Sequence, residues 1–192
     1  MIALFKSHIK KIIFKFLKIP TNYIYNSYSQ AGEDCILYFL FQDKKIESIS
    51  YLDIGTNVPN FGNNTYLFYT RGSKGVCVEA DLTLISEINK VRPKDVVLNL
   101  GVSVLNKHEA TFYIFDEPSI NTFDEEEANK RERFGTYKIV DRRIVKLVMI
   151  NQIIKENFSS YPDLLSLDVE SLDFEVLKSL DWDSYPIPVL CV

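Results

Sequence analysis

The run Tyr51-Leu52-Asp53-Ile54-Gly55-Thr56-Asn57 is the key to the architecture. A β-rich run, Ser50 to Ile54, ends in an acid and then a glycine turn. Gly55 permits backbone torsions and a close approach that a side chain would block. Outward from it, short β-rich runs alternate with helical ones, the pattern of a parallel sheet covered by helices. The segment Gln30 to Gln42 reads as a helix with Ile36, Leu37, Phe39, Leu40 and Phe41 turned inward. Gly55 to Asn64 reads as a loop, followed by a short helix from Thr65 to Thr70. Gly75 to Glu79 is a second strand, Leu82 to Lys90 a helix and Asp95 to Leu100 a third strand. Ala110 to Phe115 and Thr136 to Met149 read as extended, and the acidic run Asp124 to Glu127 as a solvated helix face. Asn151 is expected to cap a short helix. Leu164 to Val169 is a fourth strand, Phe174 to Leu180 a helix and Val189 to Val192 a fifth strand.

The predicted architecture is α/β, a Rossmann-like, doubly wound and mostly parallel sheet. In such sheets ligands bind beyond the carboxyl ends of the strands, where strand order reverses. The residues that follow each strand therefore carry the functional reading. Asp53 puts negative charge at the crevice, which suits a cationic ligand such as a sulfonium with an α-amino group. A dinucleotide site needs Gly-x-Gly-x-x-Gly so that pyrophosphate can reach a helix start. Here Asn57 stands where the second glycine would be, and Gly62 comes too late. Glu79 ends the second strand, where a carboxylate can accept from both ribose hydroxyls. Gly101 and Ser103 follow the third strand and leave room for a flat base. Asp168 and Glu170 end the fourth strand, and acids there are costly unless solvated or paired. Each of these positions also has a structural reading: a turn glycine, a surface acid, or a carboxylate satisfied by a helix start.

Composition sets the outer limits. Net charge is −4, which gives no reason to expect a nucleic-acid partner. Cys35, Cys77 and Cys191 lie far apart, with no zinc spacing, and read as small buried hydrophobes of a reducing, cytoplasmic compartment. Met1 to Ile19 differs from the rest. It carries Lys6, Lys10, Lys11, Lys15 and Lys18, no acid, and an apolar helical face from Ile2 to Ile19. Pro20 ends it. Two readings compete: a helix lying on an anionic membrane surface, and a helix docked on its own domain or on a second copy. The domain reading is a basic amphipathic helix over 1–20 and the α/β domain over 21–192.

Several motifs in order carry a family resemblance. They are Tyr28-Ser29-Gln30-Ala31-Gly32-Glu33-Asp34, Leu52 to Asn57, Asn63-Asn64-Thr65, Val78-Glu79-Ala80, Ser119-Ile120-Asn121-Thr122-Phe123, and Leu167-Asp168-Val169-Glu170-Ser171 with Glu175-Val176-Leu177-Lys178. From Tyr28 onward the chain resembles the FkbM family of methyltransferases. The resemblance implies a Rossmann-like fold, S-adenosylmethionine as cofactor and methyl donor, and O-methylation of a sugar, polysaccharide, glycolipid or polyketide hydroxyl. It implies that Asp53, Gly55 and Asn57 line the methionine part of the cofactor and that Glu79 holds the ribose. It implies that Asp168 and Glu170 flank the methyl-transfer centre, either one being the candidate base. Gln30, Glu33 and Asp34 match the leading motif near the cofactor, and Asn64 and Thr65 a polar pair after the first loop. Ser171, Leu172, Asp173 and Ala80 depart from residues frequent in the family. The family also usually continues past the fifth strand into a helix and a hairpin, so the domain is expected to be C-terminally incomplete. A non-catalytic relic or membrane-surface binding module of the same fold is the competing expectation.

Overall fold

The computed structural model describes residues 26–105, 107–169 and 172–192. The basic amphipathic segment and Glu170 therefore lie outside the described residues. The elements run α1 (Glu33–Asp43), β1 (Ser50–Ile54), α2 (Tyr66–Thr70), β2 (Lys74–Glu79), α3 (Leu82–Val91), β3 (Val96–Asn99), β4 (Gly101–Ser103) and β5 (Glu109–Phe115). A 3-10 turn at Pro118–Ile120 precedes α4 (Glu125–Arg133), β6 (Ile139–Met149), α5 (Ile150–Asn157), β7 (Leu164–Leu167), α6 (Asp173–Ser179) and β8 (Val189–Cys191).

β1, β2, β3, β7 and β8 form one five-stranded sheet in the order β3-β2-β1-β7-β8, parallel at every junction. The chain moves outward from β1 to β3, then returns to the other side of β1 as β7. That reversal creates a crevice between the ends of β1 and β7. Central strands of a parallel sheet are covered on both faces, so they read as near-continuous apolar runs. Leu52, Ile54, Val76, Val78, Leu165 and Leu167 pack on one face against Ile150, Ile153 and Ile154 of α5 and Val176 of α6. Tyr51 and Leu164 pack on the other against Leu37 and Phe41 of α1 and Phe68 of α2. The expected doubly wound α/β fold is thus present.

A second sheet, in the order β4-β6-β5, pairs β4 with β6 in parallel and β5 with β6 antiparallel. The segment between β5 and α4 folds back on this arm through a bridge between Tyr113 and Thr122. Asp124 caps α4 by accepting from the Glu127 amide, and Glu125, Glu126 and Glu127 fill its first turn. There their charge favours the helix start.

Several expectations change in the folded chain. In α1 only Leu37 and Phe41 of the predicted inward set are buried, while Ile36, Phe39 and Leu40 face outward. A two-residue apolar stripe satisfies a short helix lying on a sheet. The predicted third strand is present as β3, Val96–Asn99, but Gly101–Ser103, read as the turn that follows it, is a further strand that joins the second sheet. Asn151 does not cap α5. It sits one residue inside the helix and bonds the Ser179 carbonyl and the Asp181 amide. β7 stops at Leu167, so Asp168 and Val169 belong to the loop beyond it. Cys77 is buried as expected, whereas Cys35 and Cys191 are partly exposed, and all three are free thiols. No described helix is long and apolar enough to cross a membrane.

Candidate active site

A cavity of about 520 Å³ opens at the switch point. Its floor is the ends of β1 and β2, through Ile54, Gly55, Val78 and Glu79. Gly55 has φ +81°, and a Cβ there would lie 1.9 Å from the Asp168 carbonyl oxygen. Only glycine lets the turn after β1 pass beneath the turn after β7. Asp168 lines the cavity from that second turn.

Glu79 is 7% exposed, and both its oxygens are already oriented by backbone amides. Oε2 accepts from the Asn57 amide at 2.8 Å and Oε1 from the Asp81 amide at 2.7 Å. A carboxylate oxygen has two lone-pair sites, so each can still accept a ligand hydroxyl. Burial pushes the Glu79 carboxyl up, against the two amides, which favour its ionised form. Asn57 adopts a left-handed conformation, φ +50°. Its Oδ1 is buried in the cavity wall without a hydrogen-bond partner. A buried, unpaired acceptor is costly, and a donor supplied by a ligand would satisfy it.

The far wall comes from the segment 117–123, which in sequence is only a polar stretch and part of the family resemblance. Glu117, Pro118, Ile120, Asn121 and Phe123 all line the cavity. Asn121 fixes this wall by accepting from the Phe115 amide at 2.8 Å and donating to Asp81 at 3.4 Å. A Cβ on Gly101 would lie 2.5 Å from the Phe123 ring. The space next to that glycine is therefore filled by Phe123, which packs on Phe112 with centroids 4.6 Å apart. A ligand would meet aromatic surface there. The Ser-Ile-Asn-Thr-Phe run was the available signal, but its folding back onto β5 is a tertiary event.

Other predicted residues have different places. The Asp53 carboxylate does not line this cavity. It is buried on the α2 side, where Oδ2 accepts from Asn63 Nδ2 (3.0 Å), Thr65 Oγ1 (2.8 Å) and Arg92 Nη1 (3.2 Å). The strand's alternation points Asp53 with Tyr51, away from Leu52 and Ile54. Thr65 is fully buried in the same set. Ser103 lines neither cavity and donates to the Leu105 carbonyl at 2.7 Å. Asp34 is fully buried and accepts from Ser27, Ser29 and the Tyr28 and Cys35 amides, which shapes the turn before α1.

A second cavity, about 230 Å³, shares Gln30, Gly62 and Asp168 with the first. Glu33, Asn64 and Asp173 also line it. Asn64 Nδ2 donates to Ser166 Oγ of β7 at 3.3 Å. The structure thus gathers Gln30, Gly55, Asn57, Glu79, Gly101 and Asp168 on one cavity and Glu33 and Asn64 on its neighbour. Asp53, Thr65 and Ser103 stay apart.

The charge of the larger cavity is one-sided. Its lining holds three carboxylates, Glu79, Glu117 and Asp168, and among the described residues no Lys, Arg or His. A phosphate-bearing ligand would find no cation there, and a cationic one is well matched.

Comparison with known proteins agrees with this arrangement. The family model described as Methyltransferase FkbM domain matches residues 53–190, well over half of the chain and from the first strand end to the last strand. No curated protein matches, and neither does any solved structure. The chain belongs to the FkbM methyltransferase family.

Proposed function

We propose that the cavity binds S-adenosylmethionine and that the chain methylates a hydroxyl of a sugar, polysaccharide, glycolipid or polyketide. The observation that carries this reading is the cavity at the switch point, with three carboxylates and no cation in its described lining. The residues present fit the cofactor. Glu79 offers two preoriented acceptor oxygens for the ribose hydroxyls. The unpaired Asn57 Oδ1 offers a further acceptor for a ribose hydroxyl or the α-amino group. Phe112 and Phe123 give an apolar wall for the base.

When bound, the sulfonium supplies an already activated methyl group. What remains for this chain is alignment, dehydration and removal of one proton. Alignment of two bound reactants can contribute about 7–11 kcal/mol to lowering a barrier. Asp168 stands where the two cavities meet, so an acceptor in the smaller one would approach the larger one past it. In this reading the Asp168 carboxylate takes the proton of the attacking hydroxyl. Such general-base help is worth about 10²–10⁴-fold.

Isothermal titration of the full chain tests the first half. Micromolar binding of S-adenosylmethionine and no binding of NAD are expected. A folded sample that binds NAD, or neither ligand, removes the reading. The second half is tested with Asp168→Asn and a panel of hydroxylated acceptors. Turnover should fall at least a hundredfold while cofactor affinity stays within threefold. Wild-type turnover in that variant would remove Asp168 as the base.

A further inference from the structure

The ionic set beneath the first loop has no part in the chemistry above, yet its contacts converge on the loop that carries Gly55 and Asn57. Arg92 follows α3 and is fully buried between the Tyr51 and Tyr69 rings, its guanidinium carbon 5.3 and 5.6 Å from their centroids. Nε bonds Asp95 Oδ2 at 2.8 Å, Nη1 bonds Asp53 Oδ2 and Asn63 Oδ1 at 3.2 Å each, and Nη2 bonds Thr65 Oγ1 at 2.8 Å. Asn63 in turn donates to the Thr56 carbonyl at 3.2 Å, and its Oδ1 accepts the Thr65 and Tyr66 amides. One side chain therefore ties the strand end at Asp53 to the loop's far end at Asn63 and Thr65. Only a planar fork with five donors spans such a set; an ammonium is a compact point charge.

The set is held in its charged form. Burial works against the guanidinium's charge, but the Asp53 and Asp95 carboxylates beside it outweigh that and push it above its ordinary value. Two carboxylates share one cation in a dry site, so each also depends on neutral donors, Asn63 and Thr65 at Asp53 and Tyr51 and the Gly75 amide at Asp95.

We propose that Arg92, Asp53 and Thr65 form a positioning set for the cofactor loop. Its task is to hold the Asn57 amide on Glu79 and Gly55 beneath Asp168. The proposal rests on the cofactor reading above. It also gives the acid at the end of β1 a role through Arg92 rather than on the ligand.

The test uses the full chain with Thr65→Val, which keeps side-chain volume but removes the hydroxyl, and Thr65→Ser, which restores it. Each is titrated with S-adenosylmethionine, melted without ligand, and followed by amide exchange. Thr65→Val should bind the cofactor at least tenfold more weakly, with faster exchange over 55–62 and unchanged exchange over 164–167. Thr65→Ser should return both readouts to within twofold of wild type. If Thr65→Val does not fold, Arg92→Lys, which keeps the charge and loses the fork, is judged by the same two criteria. Cofactor affinity within twofold of wild type in the folded variant, or exchange rising equally over both segments, overturns the proposal and leaves a set that only stabilises the fold. Failure of the wild-type chain itself to bind S-adenosylmethionine overturns the cofactor reading, and the proposal with it.

Discussion

Asp53 and Glu79 end neighbouring strands of one sheet, yet they have opposite surroundings. Asp53 meets a buried guanidinium and two neutral donors on the α2 side, away from the cavity. Glu79 meets two backbone amides and, among the described residues, no cation, and it lines the cavity wall. The first arrangement closes a charge off from any ligand. The second leaves a carboxylate oriented, dehydrated and able to accept more. Position at a strand end therefore does not make an acid a ligand-binding group; the nearest cation decides.

The sharpest way to break this contrast is to remove that cation. Arg92→Met leaves Asp53 and Asp95 buried and unpaired, which typically costs about 3–5 kcal/mol. For a chain of this size the melting temperature should drop by roughly 10 °C, read by thermal unfolding. A drop of only a degree or two would mean that the pairing contributes little.

Glu79→Gln addresses the other acid. Loss of hydrogen bonds from ribose hydroxyls to a charged acceptor is worth about 1.5–3 kcal/mol, or about 10–150-fold in cofactor affinity. The unliganded protein should lose less stability than Arg92→Met loses. Calorimetric titration beside a melting curve separates the two quantities, and unchanged affinity would take the ribose role from Glu79.

The same residue sets a pH dependence. Burial raises Glu79 in the folded protein above its ordinary 4.5. Its contribution to stability is therefore most favourable below that value and is lost as pH rises through the raised, folded value. Cofactor binding runs the other way, because the ionised form is the two-oxygen acceptor. Affinity should weaken on acidification at a pH above the normal glutamate range, and Glu79→Gln should flatten that limb of the profile. A titration in which both proteins follow the same curve would assign the effect elsewhere.

The smallest effect is expected at Ser103. Its hydroxyl serves the Leu105 carbonyl and lines neither cavity. Ser103→Ala should cost about 1 kcal/mol of stability and leave cofactor affinity unchanged. Weaker cofactor binding in that variant would return Ser103 to the site.

Much of the fold was legible because the central strands are short, largely apolar and bounded by turn residues. β1 and β2 appear at nearly their predicted bounds. Gly55 and Glu79 were legible as well, since the turn after β1 demands a glycine and the second strand ends in an acid. The segment 117–123 was not, because nothing local tells a polar stretch to fold back through a bridge to Tyr113. Arg92 was not either: its partners lie 27 to 39 residues away, apart from Asp95.

The order of strands and helices, the glycine turn, the missing dinucleotide fingerprint and the family pattern are all written in spacing along the chain. Tertiary structure alone decided which strand-end acid faces the cavity and which is neutralised. A carboxylate's role depends on the charges and donors within a few ångströms, and folding draws those from distant parts of the chain.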